Sequence, residues 1–232
     1  MTDSQSRSDW RACAPRAIPT KHDLTQLEAW LETLPVPSCL LDLGCGTGQV
    51  SAWLLDRSHA VTGLDINPAA IAQAQTTLPG VSFAVADIAA ANGLQPPDAL
   101  YDGVVVQLVL SVIGDAADRH QLLRNAFAVL KPGGSLYLSA SGTSDDINTE
   151  YARLYATDAA VTGEPFTYLS RDAAGQVLYR THHFNREELR TLLQDAGYSE
   201  IAISERIEAS SRRPEQRARF FYLSAQRPHD HG

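Results

Sequence analysis

The chain has 232 residues, a formal net charge of -8, 44% hydrophobic residues and 20% charged ones. That length fills the core of one domain and leaves a second cramped, while the acidic balance gives no sign of the basic face a phosphate backbone requires, which sets nucleic acid aside as a partner. Cys13, Cys39 and Cys45 are odd in number and lack a C-x-x-C pair, which argues against a disulfide framework or a metal site; no apolar run approaches the roughly 20 residues of a membrane span. With a polar Met1 to Asp9 that lacks the apolar core of a signal peptide, the expectation is a cytoplasmic protein, a monomer or homodimer, with no membrane partner.

In chain order, a flexible leader over residues 1–20 precedes a single domain over 21–232. Leu24, Leu27, Leu31 and Leu34 form a helical stripe closed by Pro35 and Pro37. Strands and helices then alternate: Ser38 to Leu43 (strand), Gln49 to Arg57 (helix), Ala60 to Asp65 (strand), and a helix from Asn67 to Leu78 with Asn67 as N-cap and Pro68 in its first position. A third strand follows at Val81 to Ala86. Val104, Val105 and Val106 give Tyr101 to Gln107 the look of a strand buried on both faces, at the sheet centre. Asp115 to Leu130 is a helix, and Ser135 to Ala140 the fifth strand. This alternation predicts an α/β fold, a parallel sheet with helices on both faces.

The pattern breaks over about 142–184, an insertion after the fifth strand on the substrate side. Tyr151 and Tyr155 stand four apart there, and Tyr168 to Arg180 reads as a hairpin about residues 172–175. Asn185 to Asp195 resumes as a helix with Asn185 and Glu188 as a capping box. Glu200 to Ile207 and Arg219 to Ala225 are the last two strands, joined by a loop that carries Arg212 and Arg213.

The chemistry concentrates at the strand ends. Leu40 to Gly48 runs a buried-strand pattern into Gly44, Gly46 and Gly48, a turn without side chains against which a cofactor can lie. A dinucleotide fingerprint would need glycine where Gln49 stands, and Asp42 puts a carboxylate at the loop that suits a cationic ligand better than a pyrophosphate. Successive strands of such a sheet end on one edge. Asp42, Asp65 and Asp87 therefore converge there; a carboxylate accepts hydrogen bonds only, so Asp65 suits a ribose diol and Asp87 an exocyclic amine.

These residues make the chain resemble class I S-adenosylmethionine-dependent methyltransferases of the compact small-molecule kind, over about residues 38 to 141. The resemblance implies a Rossmann-like, seven-stranded, mostly parallel sheet with its last strand antiparallel. It implies S-adenosyl-L-methionine as cofactor and S-adenosyl-L-homocysteine as product. Asp42, Gly44, Cys45, Gly46 and Gly48 would wrap the methionine end; Asp65 would hold the ribose hydroxyls and Ile66 pack on the adenine; Asp87 and Ile88 would meet the adenine edge; and Gln107, with Leu108, would face the methionine part and the acceptor. Relatives that methylate amino groups of DNA, RNA or glutamine carry an Asn or Asp and a Pro-Pro pair after the fourth strand. Here Gln107-Leu108-Val109-Leu110 stands instead, which disfavours planar amino groups of that kind. The expected reaction is methyl transfer to an oxygen, nitrogen or carbon of a small-molecule metabolite. The alternatives are a dinucleotide-dependent oxidoreductase and a non-catalytic S-adenosylmethionine-binding module.

For the acceptor the signals are thinner. His182 and His183 are candidate catalytic bases, although adjacent residues of an extended segment point opposite ways and only one can face the site. Tyr151, Tyr155 and Tyr168 are candidate substrate contacts, or else the insertion's own core. Trp10 is a candidate lid over the cofactor if the leader orders, and Arg212 and Arg213 are candidate contacts to an acidic group.

Overall fold

The computed structural model of the chain describes residues 5–15, 23–94, 100–172, 174–210 and 215–229. Five strands, β1 (Cys39–Leu43), β2 (Ala60–Asp65), β3 (Ser82–Val85), β4 (Tyr101–Gln107) and β5 (Leu130–Ser141), pair in parallel; β8 (Ser199–Ala209) and β9 (Arg217–Gln226) close a seven-stranded sheet of order β3-β2-β1-β4-β5-β9-β8. The last strand, β9, runs antiparallel to both of its neighbours, as expected. Central β4 has Val104, Val105 and Val106 fully buried.

Side chains alternate across a strand, so neighbouring residues feed two cores. Leu41, Leu43, Val104 and Val106 pack with Leu122, Leu123 and Ala126 of α5 (Ala116–Val129) and Leu189 and Leu193 of α7 (Arg186–Asp195). On the other face, Leu40, Val105 and Tyr137 meet Leu27 and Trp30 of α2 (Thr25–Leu31), Leu54 of α3 (Gln49–Leu55) and Ile71 of α4 (Pro68–Thr77). Helix α4 begins where its cap predicts: Asn67 Oδ1 accepts from the N–H groups of Ala69 and Ala70, both at 3.0 Å.

Three local features differ from expectation. Strand β5 begins at Leu130, five residues early, because Tyr101 pairs with Leu130 before a register shift restores pairing at Gly103 and Ser135. The capping box of α7 forms by half: Asn185 accepts from Glu188 N–H at 2.8 Å, but the Glu188 carboxylate is bonded by His182 Nε2 at 2.9 Å instead of turning back to Asn185. Within residues 1–20, helix α1 (Gln5–Ala12) is present; 1–4 and 16–20 lie outside the described residues, as do Arg212 and Arg213.

The insertion comprises helix α6 (Thr149–Thr162) and the antiparallel pair β6 (Thr167–Arg171) and β7 (Val177–His182). Asn148 caps α6 by accepting from Glu150 N–H, and Gly163 ends it at φ +65°. Beyond Tyr151 and Tyr155 standing four apart, no sequence signal marks this helix, because half of its buried stripe is polar. Tyr151 and Leu154 share it with Asp158 and Thr162. Asp158 is buried because Arg171 Nη1 and Nη2 bond its two oxygens at 2.9 and 2.6 Å. Among the described residues no helix is long and apolar enough to cross a membrane.

Candidate functional site

The ends of β1, β2 and β4 and the segment after β3 open on one cavity, lined there by Gly44, Asp65, Ile66, Asp87, Ile88 and Gln107. The backbone makes this possible at Gly44. Its φ is +74°, and a Cβ there would lie 2.4 Å from Val109 Cγ2, so any side chain collides with the turn after β4. Asp65 is anchored twice, its Oδ2 accepting from Gly46 N–H at 2.9 Å and its Oδ1 from Asn67 N–H at 2.8 Å. Burial pushes its carboxyl up from the usual range, and those N–H groups oppose the rise. Asp87 Oδ1 accepts from Ala89 N–H at 3.0 Å.

At the end of β4, Leu108 sits at φ +57°, a strained angle for a branched residue and one that re-aims the chain into the cavity. Its N–H donates to Ser139 Oγ at 2.9 Å, and Ser139 Oγ donates to Gln107 Oε1 at 2.8 Å. That relay fixes the Gln107 amide, with Oε1 as the acceptor and Nε2 left as the donor. Gln107 Nε2 is buried and has no hydrogen-bond partner among the described residues, a cost that a ligand oxygen would remove. A glycine cradle, two strand-end carboxylates and an orphaned amide donor are the groups that the methionine, ribose and adenine parts of S-adenosylmethionine require.

Other predicted contacts stand behind this surface. Asp42 does not line the cavity: it is buried, and its Oδ2 accepts from Ser51 Oγ at 2.7 Å, which ties β1 to α3. Burial pushes its carboxyl up to about 7, against the Ser51 hydroxyl. The direct cationic-ligand contact expected of Asp42 is thereby corrected to support of the loop. Cys45 is buried against Gly63, and desolvation pushes its thiol up, away from reactivity. Gly46 reaches Asp65 through its N–H, while Gly48, at φ +85°, caps α3 and leaves no room beside Leu78 and Phe83.

The hairpin supplies the opposite wall. Tyr168 pairs with Thr181 and Ser170 with Tyr179 across β6 and β7, so these four residues share one face, and with His183 they line the cavity. Thr167 and His182 occupy the other face. There Thr167 Oγ1 and His182 Nδ1 are 2.7 Å apart, and Glu188 takes His182 Nε2. His182 is therefore off the cavity lining with both ring nitrogens occupied, and neither is free to take a proton from a ligand there, contrary to expectation.

His183 faces the cavity with its Nδ1 2.7 Å from the Tyr155 hydroxyl. Desolvation by burial, with His182 adding, lowers its pKa to about 3. An imidazole so weakly basic is mismatched to proton abstraction near neutrality. Tyr151 and Tyr168 line the cavity; Tyr155 stands behind them, holding His183. Trp10 roofs the site, with its ring 4.5 Å from Tyr179, its Nε1 donating to Val112 O at 3.1 Å and its carbonyl accepting from Asn67 Nδ2 at 3.0 Å. Sequence reasoning missed Ser170, Tyr179 and Thr181, although the period-two alternation of 168, 170 and 179, 181, 183 is the signal that finds them.

The buried neutral His183 has a testable consequence. Its folded pKa lies below the unfolded 6.5, so the unfolded chain takes up this proton first and stability falls as pH drops from about 6.5 toward 3. Relative to His183→Gln, the wild type loses about 1 kcal/mol per pH unit across that window. Denaturant melts of both proteins at pH 7, 6 and 5 measure the difference; a constant gap would mean that the imidazole is not desolvated. The pairwise comparison is needed because Asp42, raised to about 7, has the opposite sign: its contribution is complete below the unfolded 3.8 and is lost as pH rises through about 7.

Comparison with known proteins agrees with this geometry. A methyltransferase domain family matches residues 40–134. Trans-aconitate 2-methyltransferase of Methylobacterium nodulans is 35% identical over 134 residues, 57% of this chain and 47% of that protein; the chain thus spans about half the length of the curated relatives it matches. A crystal structure of an S-adenosylmethionine-dependent methyltransferase from Methanosarcina mazei is 30% identical, with a TM-score of 0.79, covering 87% of this chain and 98% of that one. The N-methyltransferase NodS of Bradyrhizobium japonicum, at 19% identity and a TM-score of 0.62 over 97% of this chain and 98% of its own, shares the fold. The chain belongs to the S-adenosylmethionine-dependent methyltransferases.

Proposed function

We propose that this protein transfers a methyl group from S-adenosylmethionine to a small-molecule acceptor. The observation that carries the reading is the convergence of Gly44, Asp65, Asp87 and Gln107 on one cavity with the insertion hairpin as its far wall. In this reading Asp65 accepts from the ribose hydroxyls, Ile66 packs on the adenine, and Asp87 with the backbone of Ile88 meets the adenine edge. Gly44 and Gln107 Nε2 hold the methionine end, while Asp42, Cys45, Gly46 and Gly48 shape the loop from behind.

When bound, the cofactor supplies an electrophilic methyl group on a cationic sulfur. The leaving thioether needs no proton, so the chain's work is to align the acceptor and to exclude water. Tyr151, Tyr168 and His183 form the acceptor wall, and Trp10 covers it. His183 acts there as a neutral hydrogen-bonding group. Residues 21–232 act as one domain with the substrate-side insertion at about 142–184. Cys13, Cys39 and Cys45 are free thiols, which suits a reducing cytoplasm; we place the protein there as a monomer or homodimer.

The test is a small-metabolite extract incubated with the enzyme and a donor carrying a trideuterated methyl group. Mass spectrometry should find the label in a low-molecular-weight product and S-adenosylhomocysteine formed in step. Label entering no small molecule in extracts that contain the natural acceptor, with the cofactor bound, would favour the non-catalytic alternative.

A further inference from the structure

The acceptor half of the cavity is built from aromatic rings and uncharged hydroxyls. At one end Trp10 and Tyr179 lie with ring centroids 4.5 Å apart; at the other, Tyr151 and Tyr168 surround His183 at 4.9 and 5.3 Å. Between them, on the inner face of the hairpin, Ser170 Oγ and Thr181 Oγ1 are 2.8 Å apart, both residues buried. Two hydroxyls in contact use one proton between them, so the pair retains one donor and spare lone pairs for a ligand. Tyr151 Oη donates to Ser210 Oγ at 3.3 Å, a second uncharged pair on the same cavity. His183 adds an imidazole that is neutral at physiological pH.

The charged side chains among the described lining residues are Asp65, Asp87 and Asp118, all of one sign. With Asp65 and Asp87 taken by the ribose and adenine in the reading above, a di- or tricarboxylate placed here would meet Asp118 and neutral hydroxyls and no cationic side chain among the described lining residues, where burying an anion calls for a cationic partner. Flat rings gain instead from the aromatic walls. Within the methyltransferase reading above, on which this step rests, we propose that the acceptor is an uncharged planar ring bearing a hydroxyl group, seated between the Trp10–Tyr179 pair and the tyrosines around His183, with its substituents bonded by Ser170 and Thr181. In the transfer, the bond from the methyl carbon to the acceptor oxygen forms as the carbon–sulfur bond breaks. The electron pair stays on sulfur, and the hydroxyl proton goes to solvent. Curated relatives such as that of Methylobacterium nodulans are named for trans-aconitate; the described residues of this wall suit a different class of molecule.

Calorimetry on the protein saturated with S-adenosylhomocysteine tests this, with 2-naphthol and 7-hydroxycoumarin as planar probes and trans-aconitate as the anionic one. The expected result is that at least one planar probe binds and is converted to its methyl ether when the methyl donor replaces the product, while trans-aconitate binds at least about ten-fold more weakly. Ser170→Ala/Thr181→Val should weaken the planar probe by about ten-fold while leaving the affinity for S-adenosylhomocysteine unchanged. Preference for trans-aconitate, binding of neither planar probe, or a planar-probe affinity unchanged in the double variant would each overturn the proposal. Absence of S-adenosylhomocysteine binding would instead overturn the methyltransferase reading beneath it.

Discussion

Arg119→Ala will destabilise the fold by about 3 kcal/mol, the lower end of what breaking a buried ion pair costs. The Arg119 side chain is 2% exposed and bonds the Glu164 carboxylate, which keeps 25% of its own surface. That remaining exposure lets Glu164 recover part of its hydration, which places the loss at the low end. Arg119 Nη1 also donates to the carbonyls of Ile113 and Gly114 at 3.1 and 3.3 Å. Those carbonyls follow the 3-10 turn Leu110–Val112, and Val112 and Ile113 line the cavity. Glu164 in turn accepts from Thr167 Oγ1 at 3.2 Å on the outer face of the hairpin. One buried cation thus joins the turn after β4 to the hairpin that forms the acceptor wall. Denaturant melts should show the loss, and Arg119→Met/Glu164→Gln, which removes both charges and keeps volume, should recover most of it. A double variant as unstable as the single one would show that packing, not an unpaired charge, sets the cost.

Asp65→Ala should weaken binding of S-adenosylhomocysteine by about 1–3 kcal/mol, roughly five- to 150-fold, because two ligand hydroxyls lose their acceptor in a buried site. The same change strips the N–H groups of Gly46 and Asn67 of their partner, so the glycine turn loosens as well. Asp65→Asn divides the two effects in part. It keeps the side-chain shape and one acceptor oxygen, so one of the two backbone anchors is kept while the other N–H faces an amide NH2, and ligand affinity still falls. Calorimetry gives the dissociation constants and circular dichroism the integrity of the fold. Equal affinity in wild type and Asp65→Ala, with the fold intact, would mean that the ribose lies elsewhere.

The parallel core was legible in the sequence because its signals are local. Continuous apolar runs at Leu40 to Leu43 and Val104 to Val106, a capped helix at Asn67-Pro68 and glycines at alternating positions each follow from backbone sterics within a few residues. Asp65 and Asp87 were legible through topology, since parallel strands end on one edge. Asp42 shows the limit of that reasoning: strand-end position placed it near the cavity, but alternation across the strand aims its side chain at Ser51. The acceptor wall was harder because it depends on pairings between segments. Helix α6 buries Asp158 beside Arg171, 13 residues away, and so carries a polar residue in its buried stripe. For His182 and His183 the sequence stated that only one can face the site; which one was decided by the register of Thr167 with His182 and by the network of Arg119, Glu164 and Glu188.

Titrating the wild-type protein in parallel with S-adenosylhomocysteine and with oxidised nicotinamide adenine dinucleotide decides whether this cavity holds S-adenosylmethionine and no dinucleotide. Saturable binding of S-adenosylhomocysteine at one site per chain is expected, with no measurable heat from the dinucleotide. Binding of the dinucleotide without binding of S-adenosylhomocysteine would overturn the assignment of the cavity.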